Sequence, residues 1–195
     1  MAKVMVMNHV TLDGVMQAPG RPDEDTREGF EHGGWAIAGN DEVMRRKMGE
    51  GGMGKGGALL LGRRTYEDFY GFWPSQSGNP YTEALNNIPK YVASRTLKEP
   101  LPWANSILLG GDAAGAVAKL KEQPTSDLTI MGSGDLIGSL MAAGLIDAYL
   151  LMIHPLVLGA GRRLFPEGAH ASLRLTDSVT TTTGVVIATY EQARD

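Results

Sequence analysis

The chain predicts a single α/β domain spanning residues 1–195, with a mainly parallel sheet flanked by helices and a C-terminal antiparallel hairpin. Three observations predict it. Short, wholly apolar runs at residues 58–61 and 148–153 read as strands covered on both faces. Helix-spaced segments alternate with such runs through most of the chain. The last part, residues 173–179 and 185–190, reads as two strands joined near Thr183-Gly184. A length of 195 residues suits one well-buried domain and is short for two.

Taken in order, residues 4–10 form a buried first strand, and residues 11–25 form a loop rich in Gly, Pro and Asp. Residues 41–48 are helical, with acids at the start and bases later, as the helix dipole prefers. A glycine-rich bend at 49–57 leads to the strand at 58–61 and a helix at 64–70. Residues 71–81, with Pro, Ser, Gly and Asn, read as the best exposed loop. Strands at 90–94 and 106–109 follow. Asp112 caps a helix carrying Ala113, Ala116, Val117 and Leu120. The strand at 128–131 enters a glycine turn, and a helix follows with Leu136, Ile137, Leu140, Met141 and Leu145 on one face.

Composition excludes several function classes. A net charge of −4 without a basic stripe argues against a nucleic-acid surface. Zero cysteines exclude disulfides, thiolate metal sites and a cysteine nucleophile, and they suit a reducing cytoplasm. The apolar N-terminal run is too short to span a membrane. The chain therefore reads as a soluble, cytoplasmic protein.

Three strand ends carry the chemistry. Gly132-Ser133-Gly134-Asp135-Leu136 opens a helix, where unpaired N–H groups and the dipole favour an anion. It misses the dinucleotide fingerprint, because Gly138 stands one place late and the motif does not follow the first strand. From this motif alone, phosphate binding and a plain turn stay open. Gly62-Arg63-Arg64-Thr65 repeats the architecture, with two cations at a helix start. Pairing with Glu67 or Asp68 explains one arginine more readily than both. Ser94-Arg95 ends a third strand with groups that suit phosphate or ribose oxygens. The P-loop-like spacing of Gly49 to Lys55 lacks the Ser or Thr that holds magnesium and has the wrong order of elements, so it reads as a bend.

Gly62-Arg63-Arg64-Thr65-Tyr66 resembles the G-R-x-T-[WY] segment of dihydrofolate reductase-like proteins. Thr11-Leu12-Asp13-Gly14 resembles the S-L-D-G of the reductase domain of bacterial riboflavin biosynthesis and its stand-alone relatives. His154-Pro155-Leu156-Val157-Leu158-Gly159-Ala160-Gly161-Arg162-Arg163-Leu164-Phe165 resembles that group's H-P-x-x-L-G-x-G-x-x-L-F. The resemblance implies NADPH as cofactor. Gly62, Arg63, Arg64 and Thr65 would then face its phosphates, Ser94 and Arg95 its adenosine end, and Gly132, Ser133, Gly134, Asp135 and Leu136 its diphosphate. It also implies a loop at 11–14 beside the nicotinamide. Within the sequence itself, Asp13 is a candidate catalytic or substrate-contacting group or an ordinary Asp-Gly turn residue, and Trp35 is a substrate wall or loop packing. The implied activity is reduction of a ribosylamino-pyrimidine intermediate. A reductase of another small heterocycle or carbonyl compound, or a non-catalytic nucleotide binder on the same fold, are the alternatives. The family habit, with an apolar strand at 149–153 taken as exposed, further implies a homodimer. His9 and His154 read as core residues, and the acidic run Asp23-Glu24-Asp25 as a solvated loop rather than a metal clamp.

Overall fold

The computed structural model describes residues 1–50, 56–78, 80–123 and 126–193. The glycine-rich bend at 49–57 falls largely outside the described residues. Eight strands form one sheet: β1 (Val4–Thr11), β2 (Ala58–Gly62), β3 (Lys90–Ala93), β4 (Ser106–Leu109), β5 (Leu128–Met131), β6 (Ala148–His154), β7 (Leu173–Thr180) and β8 (Val186–Gln192). Their order is β4-β3-β2-β5-β1-β6-β8-β7. The first six are mutually parallel, and β8 pairs antiparallel with both β6 and β7. This is the predicted α/β architecture with its C-terminal hairpin.

The central strands are apolar on both sides because helices cover both faces. On one face, Val6, Val10, Ile130 and Leu151 pack beneath α4 (Ala113–Glu122) and α5 (Gly134–Ala142), which contribute Val117, Leu120, Ile137 and Leu140. On the other face, Met7, Leu150 and Met152 pack under Met44 of α1 (Glu42–Met48). Leu59, Leu61 and Val92 pack under Tyr66 of α2 (Arg63–Phe72) and Leu85 of α3 (Pro80–Asn87). The helix starts follow local chemistry. Asp41 accepts the Met44 N–H and Asp112 accepts the Gly115 N–H, each a side-chain N-cap.

Two expectations are corrected. Residues 71–81 are not one exposed loop: α2 continues to Phe72, a 3-10 turn occupies Trp73–Ser75, and α3 begins at Pro80. Pro at a first helical position was the local signal. Nor is the apolar run at 149–153 exposed. Tyr149, Leu150, Leu151 and Met152 are buried between β1 and β8. That strand is apolar because it is central, which removes the sequence argument for a homodimer built on it.

The order places β5 between β1 and β2, so chain crossovers leave a crevice at the carboxyl ends of these strands. In open α/β sheets that is where ligands sit.

Candidate active site

A cleft of about 2010 Å3 opens at these strand ends. It is lined by Gly62, Arg63, Arg64 and Thr65, by Ser94 and Arg95, and by all five residues from Gly132 to Leu136. The structure thus gathers every residue that the sequence assigned to a cofactor.

Two helix starts meet there. Ser133 takes a left-handed conformation (φ 61°, ψ 48°), directly after Gly132 at φ 61°. This turns the Ser133 hydroxyl away from its own helix. It accepts the Gly62 N–H at 2.9 Å and donates to Thr65 Oγ1 at 2.9 Å. α5 therefore has no side-chain cap, and α2 has none because its N-cap residue is Gly62, in contrast to α1 and α4. Their first-turn N–H groups have no intrahelical acceptor, as at any helix start, and both ends face the cleft. A left-handed residue other than glycine stores about 1–3 kcal/mol of strain and is held by its surroundings. Here the holding group is Asn8, buried on β1, whose Oδ1 accepts the Gly132 N–H at 2.7 Å.

The cations divide by role. Arg63 pairs with Glu67 at 2.8 Å, the helical pairing expected for one arginine. Asp68 pairs instead with Arg21 at 2.5 Å. Arg64 faces Asp135 at 3.7 Å, while Asp135 also receives Arg162 at 2.8 Å. Arg95 is exposed and has no ion-pair partner among the described residues. The Ser94 hydroxyl accepts the N–H groups of Thr96 and Leu97, which fixes the turn that presents Arg95.

Asp13 and Trp35 lie outside the cleft lining. Asp13 accepts the Thr11 hydroxyl at 2.6 Å, the Gly159 N–H at 2.8 Å and the Leu158 N–H at 3.2 Å. The Thr11 hydroxyl, followed by the backbone donors, holds its carboxyl down at about 2. Trp35 donates its indole N–H to the Gln17 carbonyl at 2.7 Å and sets its ring edge-on to His154. The two sequence motifs at 11–14 and 154–165 prove to be partners. Their chains bond at Leu12 to Leu156, Met16 to Arg162 and Leu164 to Gly14. Gly161 is required there, since at φ 112° an added Cβ would sit 2.6 Å from the Phe30 ring. Residues 16–19, rather than 11–14, form the cleft wall on this side.

Sequence reasoning missed Asn8 and Gln17. Gln17 is buried, donates to the Asp25 and Arg27 carbonyls, and accepts the Arg162 N–H. The available signal for Asn8 was a polar residue directly after the apolar run Val4–Met7 of β1.

His9 lines the cleft, and its Nδ1 lies 2.9 Å from Nε2 of buried His154. Burial, with the neighbouring ring, pushes His9 down to about 3, and burial pushes His154 down to about 4. Both rings are neutral at pH 7. The unfolded chain takes up these protons near its ordinary value, before the folded one does, so stability is full above about pH 6.5 and falls as pH drops toward about 4. Urea midpoints measured from pH 7 to pH 4.5 are expected to decline, and less steeply in His9→Phe. A flat profile across that window would reject this origin.

Residues 2–187 match the family model described as the RibD C-terminal domain. The chain belongs to the RibD C-terminal domain family. The protein YyaP of Bacillus subtilis (strain 168) is 33% identical over 138 residues, covering 68% of this chain and 72% of YyaP. A candidate riboflavin biosynthesis protein from Shewanella sp. PV-4 superposes with a TM-score of 0.69 at 22% identity over the whole of both chains. A pyrimidine reductase-like protein from Corynebacterium diphtheriae gives 0.67 at 12% identity, over 100% of this chain and 93% of its own. Dihydrofolate reductase from Enterococcus faecalis, complexed with NADP(H) and RAB-propyl, gives 0.61 at 13% identity over 98% and 97%. The fold is dihydrofolate reductase-like, and family and fold together support a reductase-like role. Among the described residues no helix is long and apolar enough to cross a membrane.

Proposed function

We propose that this RibD C-terminal domain protein is an NADPH-dependent reductase of a small heterocyclic or carbonyl compound. The observation that carries the reading is the joined pair of uncapped helix starts, α2 and α5, facing one cleft. Two such ends suit the two phosphates of a dinucleotide, because each offers free N–H groups and a favourable dipole. The residues fit the group. Gly132 leaves no room for a side chain, since an added Cβ would sit 3.1 Å from Thr65 Cγ2, and Gly134 would meet Met16 Sδ at 3.2 Å.

Gly62, Arg63, Arg64 and Thr65 would hold the diphosphate from one side, and Ser133, Gly134, Asp135 and Leu136 from the other. Arg95, exposed beside the Ser94 turn, would pair with an adenosine 2′-phosphate. When bound, NADPH supplies a hydride. The chain's part is to orient the two reactants and exclude water. Structural neighbours described as a candidate riboflavin biosynthesis protein and a pyrimidine reductase-like protein make a ribosylamino-pyrimidine the first substrate to try. The lack of cysteine suits a cytoplasmic setting.

The experiment is a comparison of cofactors. Fluorescence titration of the reduced nicotinamide gives Kd for NADPH and NADH, in the protein and in Arg95→Ala. Losing a charge-assisted contact to phosphate is expected to weaken NADPH about 10- to 100-fold and NADH by less than about twofold. Equal losses would reject the assigned role of Arg95.

A further inference from the structure

One wall of the cleft differs in chemistry from the phosphate end. Met7, Met48 and Met152 line it with His9. Met7 and His9 alternate along β1 and so share a face, and His9 stands opposite Met152 on β6. These are polarisable thioether side chains with a single polar ring among them.

That ring is held from behind. His154 is buried, does not line the cleft, and is confined by Trp35 edge-on and by Gly39, where an added Cβ would sit 2.5 Å from His154 Cε1. The two histidines share one hydrogen bond, so one nitrogen must donate and the other accept. Their tautomers are then linked. His154 Nδ1 has no acceptor among the described residues, whereas Nε2 faces His9 Nδ1 at 2.9 Å, so a proton on Nε2 is paired and one on Nδ1 is not. That favours the tautomer in which His154 carries its proton on Nε2 and donates it to His9 Nδ1. In that tautomer His9 carries its proton on Nε2, which has no partner among the described residues, and His9 itself lines the cleft. Both rings are uncharged at neutral pH. A neutral imidazole N–H can polarise a carbonyl without becoming an ion.

We propose that His9, fixed by His154, receives a carbonyl oxygen of the substrate, and that this wall selects an uncharged, planar carbonyl compound. His9 is then the substrate contact and His154 a positioning residue. The proposal rests on the cleft being a reductase site, and it narrows the substrate class by charge. A cation or anion would find no counter-charge among Met7, Met48, Met152 and neutral His9.

Three near-isosteric probes test it: benzamide (neutral), benzoate (anion) and benzamidinium (cation). Nitrogen NMR of histidine-labelled protein at neutral pH reads the tautomers directly. The expected result is His9 as the Nε2–H tautomer, a shift of that signal with benzamide, and none with the two ions. In His9→Phe, benzamide binding is expected to weaken about five- to tenfold, the loss of one neutral hydrogen bond. His9→Gln, which keeps an N–H donor, should stay within about twofold of the unsubstituted protein. An Nδ1–H tautomer at His9, no benzamide shift at His9, or equal benzamide affinity in His9→Phe would each overturn the proposal. NADPH titration of the same unsubstituted sample separates the two readings. Absent NADPH binding would overturn the reductase function, while the histidine results still decide the pairing and the recognition of the neutral probe.

Discussion

Gly132→Val is expected to weaken NADPH binding by ~100-fold and to lower stability by about 1–3 kcal/mol. At φ 61° a β-branched residue is strained, and its Cβ would press on Thr65 at 3.1 Å. Thr65 is the residue to which Ser133 donates, so relief of that clash separates the two helix starts. It also pulls on the Gly132 N–H that Asn8 holds. The strain alone does not predict the binding loss, and Gly144→Val tells the two apart. Gly144 has φ 65° just beyond α5, with open space where a Cβ would go, and does not line the cleft. Gly144→Val should lose similar stability and keep its NADPH affinity. Fluorescence titration and urea denaturation of both variants check this. Parallel losses of binding in the two would refute the clamp geometry.

Lys90→Met is expected to destabilise the fold by about 3 kcal/mol without altering cofactor binding. Lys90 is wholly buried at the start of β3. Its ammonium donates to the carbonyls of Ile88 at 2.8 Å, Ala104 at 3.0 Å and Asn86 at 3.4 Å, and lies 4.5 Å from the Trp103 ring centre. Burial lowers its pKa to about 8, so the group is still charged at neutral pH. It gathers carbonyls at and just beyond the end of α3, where a cation is favoured. Methionine fills most of the volume but leaves the Ile88 and Ala104 carbonyls without that donor. Urea denaturation measures the loss, and an unchanged midpoint would show that the ammonium is dispensable.

The same contrast explains what could be read in the sequence. The strands at the centre of the sheet were legible because burial on both faces forces continuous apolar runs, as in Ala58–Gly62 and Ala148–His154. α4 was legible from Asp112 and its spacing. α3 was not, because its anchors are non-local: Trp103 donates to Asn86, and Asn105 donates to the Asn86 and Asn87 carbonyls. In the site, the glycine turns and their arginines were legible from local chemistry. The latch of Asn8 on Gly132 was not, since it exists only once β1 pairs with β5 in the register that sets Met7 beside Met131. Asp13 looked like site chemistry in an Asp-Gly turn. Its bonds to the Leu158 and Gly159 N–H groups were not legible, since they form only when that segment returns to β1. His9 and His154 lie far apart in sequence and meet because β1 and β6 are neighbours.

The central claim is that the paired starts of α2 and α5 hold the diphosphate of NADPH. Backbone amide NMR during NADPH titration tests it most directly. The account predicts saturable binding, with the largest shifts at the amides of Arg63, Arg64 and Thr65 and of Gly134, Asp135 and Leu136. Absence of binding, or saturable binding that leaves those amides unmoved, would contradict it.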